Sequence, residues 1–531
     1  MAQLNFKKIF SNQDDMSQPE NATILGNVPN WISGSYIRVG PGKFDIGDTT
    51  MTNFIDGYAI LTKFDIRNGL VQYNKKFIQS DAYKKAIQTK QPVYPEFATK
   101  GNLESSKSLL SRVMSAFSSS GITDNDPINL YCIEGEIFAS SESCHIHCIK
   151  KSDLATSNKV DLYKYFGVHM ACAHPQRDNK GDLYLIGTSF TTGCKYQVIK
   201  IPPVGSGTVK DALKKGSIIA SIYPSWATCC SYYHTFAMTE NYIVLIEQPL
   251  LMNVVKLAEA KMKGKAIRDV MEWCPTEKNR FFVIDKRTGE VLKTKYYADK
   301  PFFFFHYANA YEEDDHIIMD IDAYPNENVL DVMNMVNIRN GNFDGEQSGI
   351  VRFALPITKN VKDHPKGGNI VRLPYTRATA RRENDTIVLH GEELGELGLE
   401  GPTVTPLRRH KKHRYIYGTG TFRSGFHENA LSKLDLETGE SIVWRDANYF
   451  FPGEPEFLPL PDAKDEDDGI ILSAVSDGRD NGQDFLLMID AKTMKEVGRA
   501  MCNSQIPQCI HGTFFPDKSM KKSFPPSYIL F

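Results

Sequence analysis

Apolar and polar residues alternate over short stretches along almost the whole chain, and turn residues punctuate them every few positions. GDLYLIGTSF, NYIVLIEQ, HIIMDIDAY, RYIYGTGTF and GIILSAV each carry the rhythm of a strand with one face turned inward. One unit recurs: a short apolar strand ending in Asp, a few polar residues with Gly, and a second strand. It reads KFDIRNGLVQY around Asp65 and Asn68-Gly69, FFVIDKRTGEVLK around Asp285 and Gly289, SKLDLETGESIVW around Asp435 and Gly439, and LLMIDAKTMKEVGRA around Asp490. HIHCIKKSDLATSNKVDL is a version without the Gly. An aspartate at a strand end accepts hydrogen bonds from the amides of the turn, while Gly supplies the positive φ of a tight reversal. The pattern predicts an all-β chain of antiparallel hairpins. So many hairpins in one chain suggest a β-propeller with loops of uneven length on one face.

Two stretches carry a helical period instead. ESSKSLLSRVMSAFSS brings Leu109, Leu110, Val113, Met114 and Phe117 to one side, and VVKLAEAKMKGKAIRDVMEW does something similar with alternating lysines. They read as cap insertions, around 100–120 and 250–275, packed on the propeller. A membrane-surface patch is the alternative. No linker rich in Pro, Gly or Ser divides the chain, so 1–531 reads as one domain with a short N-terminal arm over about 1–20. The acidic run DAKDEDDG at 462–469 reads as a solvated loop.

Charge and composition narrow the function classes. Lys and Arg number 62 against 64 Asp and Glu, so the chain lacks the basic bias that nucleic acid would need. No window approaches the roughly 20 apolar residues of a membrane span, and Met1 to Gln18 contains no signal core. The expectation is a cytoplasmic protein, at most peripheral on membranes. Ten cysteines without paired CxxC spacing predict reduced, mostly buried thiols.

Thirteen histidines offer several leads. His145 and His147 stand two apart on a predicted strand, which an ordinary strand face explains better than a metal pair. His410 and His413 lie in the basic run RRHKKHR and read as a solvated turn. His174 in ACAHPQRDNKGDLYLIG, His234 in SYYHTFAMTENYIVLIEQP, His306 in FFFFHYANAYEEDD and His511 in IPQCIHGTFF share another character: each lies at a short apolar or aromatic strand beside a turn. Taken singly, each reads as a buried histidine bonded to backbone.

GSYIRVGPGKFDIGD, FIDGYAILTKFD, AHPQRDNKGDLYLIG, HTFAMTENYIVLIE, PFFFFHYANAYE, GEPEFL, DEDDGIILSAV and IPQCIHGTF, in this order from Gly26 to Phe515, resemble segments of the carotenoid cleavage oxygenases. The likeness is to the animal branch, which holds the β-carotene oxygenases and the retinal pigment epithelium retinoid isomerohydrolase. The resemblance implies a seven-bladed propeller with a helical cap over its top face and one Fe2+ ion on the axis. It implies that His174, His234, His306 and His511 are the direct ligands, and that Glu142 in ASSESC, Glu400 in LGLEGP and Glu454 in PGEPEF orient three of the rings. A propeller axis is where strands distant in sequence converge, so ligands separated by 60, 72 and 205 residues can meet there.

The implied reaction is cleavage of a carotenoid double bond by O2 to two aldehydes, without a protein acid or base. Symmetric 15,15' cleavage of β-carotene to retinal ranks first, ahead of eccentric 9',10' cleavage. A retinyl-ester isomerohydrolase and a metal-free propeller scaffold are the alternatives of other classes. A substrate so insoluble implies uptake from a membrane surface, with the stretch from about Ser105 to Ser119 as the contact and an apolar tunnel mouth beside it. Three features depart from the family pattern. TKGNLESSKSLL stands where vertebrate members carry a Pro-Asp-Pro-Cys element, and Ser141 replaces a Thr whose methyl crowds an open iron position. The tail PDKSMKKSFPPSYILF suggests no function.

Overall fold

The computed structural model describes residues 4–102, 122–420, 422, 425–525 and 528. The first predicted cap segment, with Leu109, Leu110, Val113, Met114 and Phe117, lies outside these residues.

Strands dominate, as the alternation predicts, and the recurrent Asp units are hairpins or the reversals that begin them. Tyr58–Arg67 pairs antiparallel with Leu70–Phe77 across Asn68 and Gly69, whose φ values of 52° and 75° make the two-residue reversal that matches strand twist. The Asp435 carboxylate accepts the Glu437 amide at 3.0 Å, and Gly439 at φ 76° lets Leu431–Asp435 turn back into Ser441–Trp444. Asp490 does the same for Phe485–Asp490 and Glu496–Met501, with Met494 at φ 54° in the place of the glycine. Asp285 caps its turn by accepting from the amides of Arg287 and Thr288, but its strand, Arg280–Asp285, pairs along its whole length with Tyr242–Glu247 and only at Arg280 and Phe281 with Lys295–Ala298.

The hairpins build successive, mainly antiparallel sheets, with apolar clusters buried between neighbours. The two ends of the chain meet in two of these sheets. Gly34–Lys43 lies between Tyr58–Arg67 and the C-terminal strand His511–Pro516, and Thr23–Gly26 adds to Glu496–Met501. Early and late strands therefore share sheets.

The second predicted helix is shorter than its sequence pattern. It spans Val254–Lys263, is capped by the Asn253 side chain, and stops at Gly264 in the left-handed conformation, φ 67°. Beyond that stop, Arg268–Val270 is a 3-10 turn and Met271–Trp273 a strand paired with Leu250–Asn253. Among the described residues no helix is long and apolar enough to cross a membrane. All ten cysteines are unpaired, seven of them buried.

Two stretches read as solvated prove partly buried. In the acidic run, Asp467 is 5 % exposed and holds the buried Lys433 ammonium at 2.6 Å. In the basic run, the His413 ring is enclosed, 3.2 Å from Asp320, which Arg352 grips with two bonds of 2.7 and 2.8 Å. His410 reaches the Gln176 amide oxygen at 3.0 Å, and burial pushes its pKa down to about 3. Local charge density suggested water; partners from distant strands supply the neutralisation instead.

Candidate metal centre

Each of the four histidines sits where a strand begins or breaks. His174 lies between Met170–Ala171 and Gln176–Arg177, and His234 between Cys229–Ser231 and Ala237–Met238. His306 falls in Phe303–Glu313 where the pairing with His316–Tyr324 shifts register between Phe304 and Tyr307, and His511 opens the last strand. A break or bulge releases a side chain from the in-out alternation of a strand, so its ring can be aimed along the axis.

The four rings meet. Their ligand nitrogens all lie within 4.8 Å of one another, and the ring centroids stand 4.5 to 6.3 Å apart. The His174 and His234 Nε2 atoms are 2.9 Å apart, and those of His306 and His511 3.1 Å. Two nitrogens bound at right angles to one first-row ion, each about 2.1 Å from it, would be about 3.0 Å apart, so the donor set fits a metal. Loss of water, reinforced by the neighbouring imidazoles, holds the pKa values of His174 and His306 well below the usual histidine range. Neutral rings facing one another with lone pairs need a proton or a cation between them.

Carboxylates behind the rings complete the set unevenly. Glu142 Oε1 accepts from His234 Nδ1 at 2.6 Å and also from the Tyr232 hydroxyl at 2.6 Å. Glu454 Oε1 accepts from His511 Nδ1 at 2.8 Å. Glu400 comes close to His306 together with Asp322, but His306 Nδ1 has no hydrogen-bond partner among the described residues, and Glu400 accepts the Gly401 amide at 3.2 Å instead. Among the described residues His174 faces no such carboxylate; the Asn129 side-chain nitrogen is 3.2 Å from its Nδ1. Tyr232, Asp322 and Asn129 escape sequence reasoning because only sheet pairing brings them to the rings. A Tyr two residues before a candidate ligand was the one signal in the sequence.

Two cavities flank the cluster. One is apolar, lined by Ile55, Phe97, Ile128, Phe190, Leu257 and Met271 among others, and reaches Ser141 and Glu142 at its inner side. Helix Val254–Lys263 forms part of its wall. The other is polar and reaches His174, His306, His511 and Glu454, with Arg177, Gln176, Arg409 and His410 farther out. His145 and His147 stay apart from the centre: His147 is buried between Asp124 and Asp126.

Comparisons with known proteins give the family and the fold. Residues 9–516 match the family described as retinal pigment epithelial membrane protein. A carotenoid-cleaving dioxygenase, mitochondrial, of Macaca fascicularis is 37 % identical over 516 residues, 93 % of this chain and 92 % of that protein. The β,β-carotene 15,15'-dioxygenase of Homo sapiens is 34 % identical over 517 residues, 95 % of this chain and 94 % of its own. Among solved structures, cobalt-substituted Synechocystis apocarotenoid oxygenase superposes with a TM-score of 0.75 at 20 % identity, over 96 % of this chain and 98 % of that one, which shows the shared fold. The chain belongs to the retinal pigment epithelial membrane protein family, the carotenoid oxygenases.

Proposed function

We propose that this protein is an iron(II) dioxygenase that cleaves a carotenoid double bond with O2 to give two aldehydes, with 15,15' cleavage of β-carotene to retinal as the first choice. One observation carries the reading: the Nε2 atoms of His174, His234, His306 and His511 converge at 2.9 and 3.1 Å beside an apolar cavity. The curated relatives named as carotenoid dioxygenases support it. On this reading the sheets form a seven-bladed propeller, and helix Val254–Lys263 belongs to a cap over the cavity.

Ferrous iron bound by the four imidazoles would supply the binding and activation of O2. The protein's own work is placement. Glu142 and Glu454, by accepting the Nδ1 protons of His234 and His511, set the tautomer that turns each Nε2 lone pair inward. Glu400 and Asp322 answer the charge on the His306 side. The apolar cavity holds a polyene and excludes water, and its shape selects which double bond lies nearest the histidines. Glu142, where the cavity meets the metal centre, is engaged by His234 and Tyr232 and takes no part as acid or base on this reading; Glu96 and His169 also line the cavity. A membrane surface would deliver the substrate, with the stretch from about Ser105 to Ser119 as the contact, which flotation with liposomes tests.

The test of the reaction is anaerobic purification with iron, aerobic incubation with β-carotene, zeaxanthin and a retinyl ester in turn, and chromatography of the products. Retinal from β-carotene is the expected result. Apocarotenals of unequal length would move the cleavage to the 9',10' bond, and cis-retinol from the ester would replace oxygenation by isomerohydrolysis.

A further inference from the structure

Behind the inner end of the apolar cavity lies a buried chain of charges that the reaction does not use. Asp126 is 0 % exposed. Its Oδ2 meets His147 Nδ1 at 2.6 Å, and its Oδ1 accepts the Ser141 hydroxyl at 3.2 Å. On the far side of the imidazole, Asp124 lies 3.5 Å from Nε2, accepts the amides of Asp81 and Ala82 at 2.9 and 2.8 Å, and pairs with Lys159 at 2.9 Å.

Ser141 is the junction with the metal centre. Its oxygen also accepts the Ser143 amide at 3.3 Å, so the hydroxyl is engaged as donor and acceptor and fixes the turn Ser141-Glu142-Ser143. Glu142, at the middle of that turn, holds His234. The backbone of the same turn is tied to the strand leading into His174: the Ala171 amide donates to the Glu142 carbonyl at 3.4 Å, and Ser143 bridges Met170. Two of the four rings are thereby referred to one small turn.

We infer that Asp126 and His147 are positioning residues for the metal centre: an anchored carboxylate-imidazole pair that locks Ser141, and through its turn sets Glu142 against His234. The physical reason is rigidity. A buried ion pair contributes little net stability compared with apolar packing, but its directional bonds admit one arrangement where an apolar contact would admit several. Burial raises the Asp126 carboxyl to about 6, while the flanking carboxylates raise His147 to about 9 against the effect of burial. Near neutral pH both are charged and the clamp is at full strength.

The inference rests on the iron reading above and is tested on metal-free full-length protein titrated anaerobically with Fe(II), and with Co(II) for its visible spectrum. Ser141→Ala, Asp126→Asn and the double variant are each expected to bind Fe(II) about tenfold more weakly, with a shifted Co(II) band. The double is expected to be no worse than either single, and Ser141→Thr, which keeps the hydroxyl, to restore wild-type binding. If Asp126→Asn fails to fold, Ser141→Ala carries the test, since it cuts the same link by removing one oxygen. Variants binding within twofold of wild type, or losses that multiply in the double, overturn the inference while leaving the metal centre standing. A wild-type chain that binds neither ion overturns the metal reading and the inference together.

Discussion

Replacing Glu142 separates orientation of a ligand from its mere presence. Its Oε1 accepts from His234 Nδ1 and from the Tyr232 hydroxyl, each at 2.6 Å. A hydrogen bond to a charged acceptor contributes about 1.5–3 kcal/mol, against about 0.5–1.5 for a neutral one. Glu142→Gln keeps an oxygen in place but removes the charge, so the loss is about 1–1.5 kcal/mol, or about tenfold in metal affinity. Glu142→Ala removes the acceptor and leaves the Nδ1 proton of a ring that is 5 % exposed without a partner, which takes the loss toward 100-fold, the upper end of about 10- to 100-fold for such partners. Glu454→Gln should match Glu142→Gln, because its bond to His511 is of the same kind at 2.8 Å. Glu400→Gln should cost less, since Glu400 makes no hydrogen bond to His306 and shares that side with Asp322. The assay is equilibrium competition for Fe(II) against a chelator of known affinity, with thermal unfolding of each metal-free variant as control. Undiminished affinity in Glu142→Ala, in a protein that unfolds at the wild-type temperature, would refute the reasoning.

Three further outcomes follow from other parts of the molecule. Leu257→Asp places a carboxylate in the wall of the apolar cavity and should raise the KM for a carotenoid severalfold with iron content unchanged; loss of iron with KM intact would show that the wall is not the binding surface. His147, raised from 6.5 to about 9, contributes stabilisation that is full below pH 6.5 and disappears as pH rises through 9. Asp126, raised from 3.8 to about 6, changes its contribution only below that window, so the stability gap between wild type and His147→Gln should narrow between pH 6.5 and 9; a gap independent of pH contradicts the assignment. Gly289 has φ +74°, and a Cβ there would stand 2.0 Å from the Ile219 carbonyl oxygen; Gly289→Ala should cost at least about 1–2 kcal/mol from the backbone alone, and an unchanged denaturation midpoint would argue against that turn.

The fold class was legible because hairpin chemistry is local. Asp65, Asp435 and Asp490 announce their reversals within a few residues, whereas the pairing of Gly34–Lys43 with His511–Pro516 depends on residues separated by nearly the whole chain. The four histidines were legible through family motifs and not through spacing, since each lies at a strand break whose direction is set by tertiary pairing. Glu142 and Glu454 each accept a hydrogen bond from a ring, that of His234 and that of His511. Glu400 lies beside its ring without the hydrogen bond, and Asp322, which shares that side, comes from a strand whose alternation reads as ordinary core. His147 and His413 look unremarkable in sequence, because the buried carboxylates that face them, Asp126 and Asp320, lie 21 and 93 residues away. The helix beginning at Val254 is shorter than its sequence suggests, because the apolar rhythm continues past Gly264, where the backbone turns left-handed.

Metal stoichiometry tests the central claim most directly. Protein purified without oxygen and loaded with Fe(II) should hold one iron per chain after removal of excess metal, and the His174→Ala/His306→Ala double variant should hold none while keeping the wild-type circular dichroism spectrum. A wild-type chain free of iron, or a double variant that still binds one equivalent, would contradict the account.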